Sequence, residues 1–167
     1  MLYGKKMNRF GDNLICTNAN EEIVKAFARF GADFLVVGGL AMAWHCPSRQ
    51  ANDMDLLVKP TAENSENVTA ALSTLGLTGF EAASFAKPGV QAQLKQRHHA
   101  DILTPAKDGP SYDAIAADAL NGKLFQIPVR IVSRDRLIQL KRDAMAKSEQ
   151  EAEKHARDIE LLQNHAV

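Results

Sequence analysis

Apolar residues recur along the first third of the chain in two periods, one helical and one extended. Four of them fall at helical spacing over about residues 21–30: Ile23, Ala26, Phe27 and Phe30. Two apolar runs of strand length follow, at 33–37 and 53–58. Between them, the apolar segment 40–45 predicts a short helix that stops before Pro47. The pattern therefore predicts a helix, a strand, a short helix and a second strand.

The rest of the chain alternates in a similar way and ends in helices. The predicted elements are a helix over 61–75, strands over 80–85, 90–94 and 100–103, a helix over 112–120, an extended segment over 124–132, and helices from Ser133 and over 148–164. The pair Asn121-Gly122 predicts a turn before the extended segment. This order predicts an α+β fold. We expect one domain over 1–167, with a loosely ordered start over 1–17 and a C-terminal helical pair over 133–167.

Composition narrows the class of protein only slightly. An apolar fraction of 46% in 167 residues is enough for one packed core. Lys and Arg total 20, as do Asp and Glu, so the net charge does not indicate a large nucleic-acid or membrane surface. No segment has the roughly 18 apolar residues of a membrane span or the apolar core of a secretory signal. We therefore expect a cytoplasmic protein with no membrane partner, in which Cys16 and Cys46 are free thiols.

Two acids, Asp53 and Asp55, occupy alternate positions at the start of the second predicted strand. Residues two apart in a strand share one face, so their carboxylates lie close together and repel one another. A bound divalent cation removes that repulsion, and Mg²⁺ prefers such oxygen ligands. Spacing alone equally allows that Asp53 is only the solvated start of a strand and that Asp55 is incidental.

The break between the first strand and the short helix is the pair Gly38-Gly39. Glycines permit close backbone approach, and a helix N-terminus presents unpaired N–H groups to an anion. Most Gly-Gly pairs are simple turns. This pair indicates an anion site only because it lies between a strand and a helix, upstream of the two acids. Arg49, in the polar loop before those acids, is a candidate phosphate ligand or an ordinary surface arginine.

Two other chemistries are less favoured. His45, His98 and His99 do not have the spacing of a zinc motif. Trp44 is more typical of a core residue than of a platform for stacking a base.

The segment 34–59 resembles the DNA polymerase β-like nucleotidyltransferase superfamily. The pattern of that superfamily is a strand, Gly-Gly or Gly-Ser, a short helix, and Asp-x-Asp on the next strand. Here Gly38, Gly39, Asp53 and Asp55 match it. The segments Val-Gly-Gly-Leu-Ala and Asp-Met-Asp-Leu-Leu-Val are similar to the corresponding sequences of a small bacterial branch of that superfamily. That branch includes minimal nucleotidyltransferases, nucleotidyltransferase toxins of abortive-infection systems, and aminoglycoside nucleotidyltransferases.

The resemblance extends over roughly 30–163. Asp101 falls where the family places a third carboxylate, and Lys141 and the pair Lys154 and Asp158 look like residues of its closing helices. The resemblance implies a mixed central sheet flanked by helices. It also implies catalytic and metal-binding roles for three carboxylates, Asp53, Asp55 and Asp101. The residues it implies for nucleotide binding are Gly38, Gly39, Arg49 and Lys141.

The expected activity is therefore transfer of a nucleoside monophosphate from an NTP to a hydroxyl group, with Mg²⁺, or Mn²⁺ as an alternative. The resemblance implies a tRNA 3′ end, a protein or a small molecule as acceptor, and a cognate toxin or antitoxin as a partner. A catalytically silent binding partner and an aminoglycoside nucleotidyltransferase are the alternatives. The chain departs from the branch at Ala51, often Thr or Ser there, and at His155, where an acid is common. Gly39 replaces the serine of other branches.

Overall fold

The computed structural model describes residues 9–10, 13–14, 20–49, 51, 53–94 and 98–164. Its strands are β1 (Arg9–Phe10), β2 (Asn13–Leu14), β3 (Phe34–Val37), β4 (Met54–Val58), β5 (Gln91–Leu94), β6 (Ala100–Leu103), β7 (Leu120–Leu124) and β8 (Ile127–Ile131). Its helices are α1 (Glu21–Arg29), α2 (Gly38–His45), α3 (Ala62–Thr74), α4 (Tyr112–Ala116), α5 (Arg134–Lys147) and α6 (Glu149–Asn164).

The strands form one mixed sheet in the order β1-β2-β7-β8-β3-β4-β6-β5. At its centre, β3 pairs antiparallel with β4 and parallel with β8, while β4 pairs parallel with β6. Most residues of β3 and β4 are buried. Their near-continuous apolar runs are what a strand covered on both faces requires. The predicted α+β fold with a mixed central sheet and flanking helices is confirmed.

The helices form two packed groups. α1 and α3 contact each other, and α5 and α6 pack together while both contact α2. α1 buries an apolar face that includes Ile23 and Phe27, and its N-terminus is capped by Asn20, whose Oδ1 accepts from the Glu22 N–H at 3.0 Å. α2 is buried from Leu40 to Trp44, so it lies between the sheet and the C-terminal helices.

Several local predictions are wrong. The helix predicted over 112–120 ends at Ala116, and Leu120 already lies in β7. The segment 80–85 forms turns instead of a strand, and Asn121-Gly122 lies inside β7 instead of forming a turn. The turn between β7 and β8 is at Phe125 and Gln126, with φ of 55° and 70°. Gly122 is needed in the strand for another reason. A Cβ there would lie 2.7 Å from the Trp44 ring, which is buried in the core as predicted.

The prediction for the start of the chain falls mostly outside the described residues, and the four described there form β1 and β2. Cys16 also lies outside them. At the other end, the predicted helices from Ser133 and over 148–164 are confirmed as α5 and α6. Ser133 caps α5, because its Oγ accepts from the Arg136 N–H at 3.1 Å.

Candidate functional site

The junction between β3 and α2 requires glycine at position 38. Gly38 has a φ of +62°, a region that L side chains rarely adopt. A Cβ on Gly38 would also overlap the carboxyl group of Asp55, lying 2.8 Å from its Cγ. The helix therefore starts at Gly38, two residues before the predicted start at Leu40. The close approach of the backbone to the Asp55 carboxylate explains why a glycine interrupts the apolar run between β3 and α2.

Asp55 lies in β4 opposite two neighbours, Val37 on β3 and Asp101 on β6. Burial raises its pKa to about 6, and the charges of Asp101 and Asp53 add to that rise. Lys141 and a hydrogen bond from the Gly39 N–H act in the opposite direction. The carboxylate therefore sits at the α2 N-terminus with its charge incompletely compensated.

Asp101 presents one carboxylate oxygen that has no hydrogen-bond partner in the part of the chain that the structure describes. Its Oδ2 accepts from Gln91 Nε2 at 3.3 Å. Its Oδ1 is buried and has no hydrogen-bond partner among the described residues. Buried polar atoms are almost always satisfied, so an orphaned carboxylate oxygen beside a second carboxylate indicates a site for a ligand.

Asp53 lies just before β4 and is exposed. Its Oδ1 is 3.8 Å from Nδ1 of His99, a residue with a φ of 46°. The Met54 N–H donates to the His99 carbonyl at 2.9 Å, which ties the start of β4 to the residue before β6. Asp53 is thus near enough to act on Asp55 by charge, but its side chain stands at the solvent edge.

The donor chemistry of this edge fits a hard divalent cation, although the ligand set is not fully gathered. Within the described parts of the chain, no group of three or more His, Cys, Asp or Glu side chains is arranged to hold a metal ion. What the structure does bring together is the pair Asp55 and Asp101, with Asp53 contributing charge. Carboxylate oxygens that repel one another, one of them orphaned, suit Mg²⁺. His45 is one of the histidines considered as a zinc ligand. In the structure its Nε2 donates to the Val132 carbonyl at 2.8 Å.

A cleft of about 510 Å³ continues from the carboxylates along the same face of the sheet. Leu57 and Leu103 lie in its wall, two residues beyond Asp55 and Asp101 respectively, so all four share one face. Gly38 also lines it. The charged or titratable lining residues are Asp108, Lys141, Asp143, Lys147 and His155. The carboxylate pair therefore adjoins a mostly apolar cleft.

The two predicted phosphate ligands, Arg49 and Lys141, share one buried acid. Lys141 Nζ is 3.0 Å from Oδ2 of Asp158, and Arg49 Nη2 is 3.0 Å from its Oδ1. Only 2% of Asp158 is exposed. The spacing of Lys154 and Asp158, one helical turn apart, would allow these two to pair. In the structure Lys154 is exposed, and Asp158 instead faces Arg49 and Lys141.

Three residues of this region received no site role from the sequence: Gln91, His155 and Asp158. Gln91 could not have been found, because its role depends on the register between β5 and β6. His155 lines the cleft, and its pKa is lowered by burial and by the charge of Lys141. Asp158 did carry a signal, since it directly precedes Ile159 and lies four residues before Leu162 on the buried face of α6.

Comparison with known proteins identifies the fold. No protein-family model matches the chain, and no curated protein matches it. Solved structures do. An antigenic nucleotidyltransferase-like protein from Paracoccidioides brasiliensis matches with a TM-score of 0.56 at 16% identity, over 87% of this chain and 73% of that one.

The antibiotic-resistance factor ANT(2″)-Ia matches in two structures. Its solution structure gives a TM-score of 0.57 at 18% identity, over 84% of this chain and 78% of that one. Its crystal structure with adenylyl-2″-tobramycin gives 0.51 at 17%, over 84% and 83%. The chain thus has the nucleotidyltransferase fold, as its resemblance to that superfamily implied. Separately, no helix in the described residues has the length and apolar character to span a membrane.

Proposed function

We propose that this protein is an Mg²⁺-dependent nucleotidyltransferase that moves a nucleoside monophosphate from an NTP to a hydroxyl acceptor and releases pyrophosphate. One observation carries the proposal. Asp55 and Asp101 face each other on adjacent strands at the start of α2, and Asp101 Oδ1 is buried with no partner among the described residues. Phosphoryl transfer needs this kind of charge-neutralising, positioning site.

Asp55 and Asp101 would hold the metal, with Asp53 completing its protein ligands from the solvent edge. Mg²⁺, or Mn²⁺ in its place, would supply charge neutralisation at the phosphate oxygens. The pKa of Asp55, which burial and the charge of Asp101 raise to about 6, supports this role, because a metal ion would offset both effects. The fold neighbours support nucleotidyl transfer as the reaction class.

The remaining roles follow from position. The Gly38-Gly39 backbone allows the triphosphate to approach the start of α2, and Lys141, in the cleft beside Gly38, binds phosphate with Arg49. The acceptor oxygen forms a bond to the α-phosphorus as the bond to pyrophosphate breaks. Asp101 would orient the acceptor hydroxyl and take its proton in this step, through the carboxylate oxygen that the metal leaves free.

The acceptor is proposed by class: a tRNA 3′ end, a protein side chain or a small molecule, in a toxin–antitoxin setting with a cognate partner. An aminoglycoside is the second candidate, favoured by the likeness to ANT(2″)-Ia, one structure of which holds adenylyl-2″-tobramycin. The cleft lining gives this candidate little support, because Lys141 and Lys147 balance the charge of Asp108 and Asp143.

Incubation with Mg²⁺ and each α-labelled NTP tests the proposal. Parallel reactions contain total tRNA, the protein alone, or tobramycin as acceptor. We expect label transfer to one acceptor, and its loss in Asp101→Asn. Nucleotide-dependent stabilisation without transfer to any acceptor would favour the catalytically silent binding partner. The absence of both stabilisation and label transfer with every NTP would overturn the proposed function.

A further inference from the structure

We propose that Asp158 is a positioning residue, which holds Lys141 and Arg49 together as one phosphate-binding pair. The inference rests on the proposed function and adds to it the residue that organises the cationic side of the site. Asp158 does not itself touch the nucleotide in this account. It acts through the two cations.

The geometry of the acid is two-sided. Each carboxylate oxygen of Asp158 faces a different cation at 3.0 Å, Oδ1 toward Arg49 and Oδ2 toward Lys141. Asp158 and Lys141 are almost completely buried, at 2% and 7% exposure. Two cations this close repel one another, and the negative charge of Asp158 offsets that repulsion. The group as a whole keeps one net positive charge.

The three residues come from separate parts of the fold. Arg49 lies in the loop after α2, Lys141 in α5 and Asp158 in α6. That loop folds back onto the start of α2, since the Ala51 Cβ lies 3.9 Å from where a Cβ on Gly39 would stand. Asp158 therefore ties the loop and both C-terminal helices to one point.

The same group reaches the reacting edge of the site. Lys141 lines the cleft together with Gly38, and its charge lowers the pKa of Asp55. A cation in this place can meet a phosphate that approaches the α2 N-terminus. Holding its long side chain in advance removes the entropy cost of ordering it when phosphate binds.

Two other accounts of the buried acid make different predictions. If Asp158 were only a structural tie, its loss would lower stability and leave the phosphate affinity of the folded protein unchanged. If Asp158 competed with phosphate for the two cations, its loss would raise that affinity. Long-range electrostatics acts in the same direction, because removing a negative charge attracts an anion. Only a positioning role predicts weaker binding.

The test measures binding of inorganic tripolyphosphate with Mg²⁺ by calorimetry, because this probe needs neither a base nor an acceptor. The variants are Asp158→Asn and, as a matched control on the exposed side of α6, Glu160→Gln. Each variant is measured well below its own melting temperature. We expect about tenfold weaker binding for Asp158→Asn and no change for Glu160→Gln.

A mutant cycle shows whether Asp158 acts through the cations. In the background Arg49→Gln with Lys141→Gln, adding Asp158→Asn should no longer weaken binding. Unchanged or tighter binding of Asp158→Asn in the otherwise native chain would overturn the inference. The inference would also be overturned if Asp158→Asn weakened tripolyphosphate binding just as much in the variant that lacks both Arg49 and Lys141. Failure of the native protein to bind tripolyphosphate or any NTP would instead overturn the proposed function, which is a separate result.

Discussion

The two sides of the cleft treat charge in opposite ways. On the sheet side, Asp55 stands opposite Asp101, and burial together with the charge of Asp101 raises the pKa of Asp55. On the helix side, Arg49 and Lys141 have their acid already in place, at 3.0 Å each. In the first region two carboxylates repel one another, whereas in the second Arg49 and Lys141 are already ion-paired with Asp158.

Under the proposed function, the carboxylate region is the one that gains a metal ion, and the cationic region is the one already arranged for phosphate. Uncompensated carboxylates lower stability and gain most from a bound metal ion. Ion pairing with Asp158 stabilises the two cations in the fold, and in the proposed function the one net positive charge of the group is what remains for phosphate. Substitutions should therefore have opposite signs on the two sides: loss of charge should stabilise the sheet side and destabilise the helix side.

The largest effect should come from Gly38→Ala, which disturbs the sheet side through shape. The added Cβ would overlap the Asp55 carboxyl group and would stand at a positive φ. We expect a loss of at least about 3 kcal/mol in unfolding free energy and loss of nucleotidyl transfer. Chemical denaturation measures the first and label transfer the second.

Gly31→Ala is the matched control for that variant. Gly31 has a similar φ of +68°, but a Cβ there would meet nothing within 4 Å. It should cost only about 1 kcal/mol and keep activity. Equal losses in the two variants would show that backbone strain, not the contact with Asp55, makes glycine necessary.

The next effect concerns the helix side. Lys141→Met should lower the unfolding free energy by about 3 kcal/mol, because it leaves the buried Asp158 with one partner fewer. Arg49→Gln should cost only about 1 kcal/mol, since 37% of its side chain is exposed to solvent. Denaturant titration at neutral pH gives both values. A larger loss for Arg49→Gln than for Lys141→Met would contradict the account of which cation is held in the interior.

The smallest effect has the opposite sign. With metal chelated at pH 8, Asp55→Asn should raise the unfolding free energy by roughly 2 kcal/mol, because it removes a buried charge whose pKa is about 6. Nucleotidyl transfer should be lost in the same variant. Asp108→Asn, an exposed acid in the cleft lining, should change neither quantity. If Asp55→Asn melted at a lower temperature than the native chain without metal, the ionised Asp55 carboxylate would be stabilising the fold, contrary to this account.

Much of the fold could be predicted because local pattern and burial agree. The strand β3, the strand β4 and the helix α6 are strongly patterned, and each was located to within one residue at its start. The failures occurred where tertiary packing overrides local preference. Asn121-Gly122 is a typical turn pair, but Trp44 packs closely against Gly122, so the glycine serves a strand.

The site could be predicted in part for a related reason. Alternation in a strand is local, so the shared face of Asp53 and Asp55 follows from sequence. The pairing of Asp55 with Asp101 depends on parallel register, and was reached only through resemblance. The role of Asp158 could not be predicted, because its partners come from a loop and another helix. Helical spacing alone would allow a different partner, Lys154.

The most direct test of the central claim is the rise in melting temperature that excess Mg²⁺ causes, followed from pH 5 to pH 8. The folded-state pKa of Asp55, about 6, lies above its ordinary value of 3.8. Stability contributed by this group is therefore fully present below pH ~4 and is lost as the pH rises through about 6 in the absence of metal. Mg²⁺ should offset that loss, stabilising the native chain at pH 8 and scarcely at pH 5, and should have little effect on Asp55→Asn. An absence of Mg²⁺-induced stabilisation at pH 8, or an equal rise in Asp55→Asn, would contradict the carboxylate pair as the metal site.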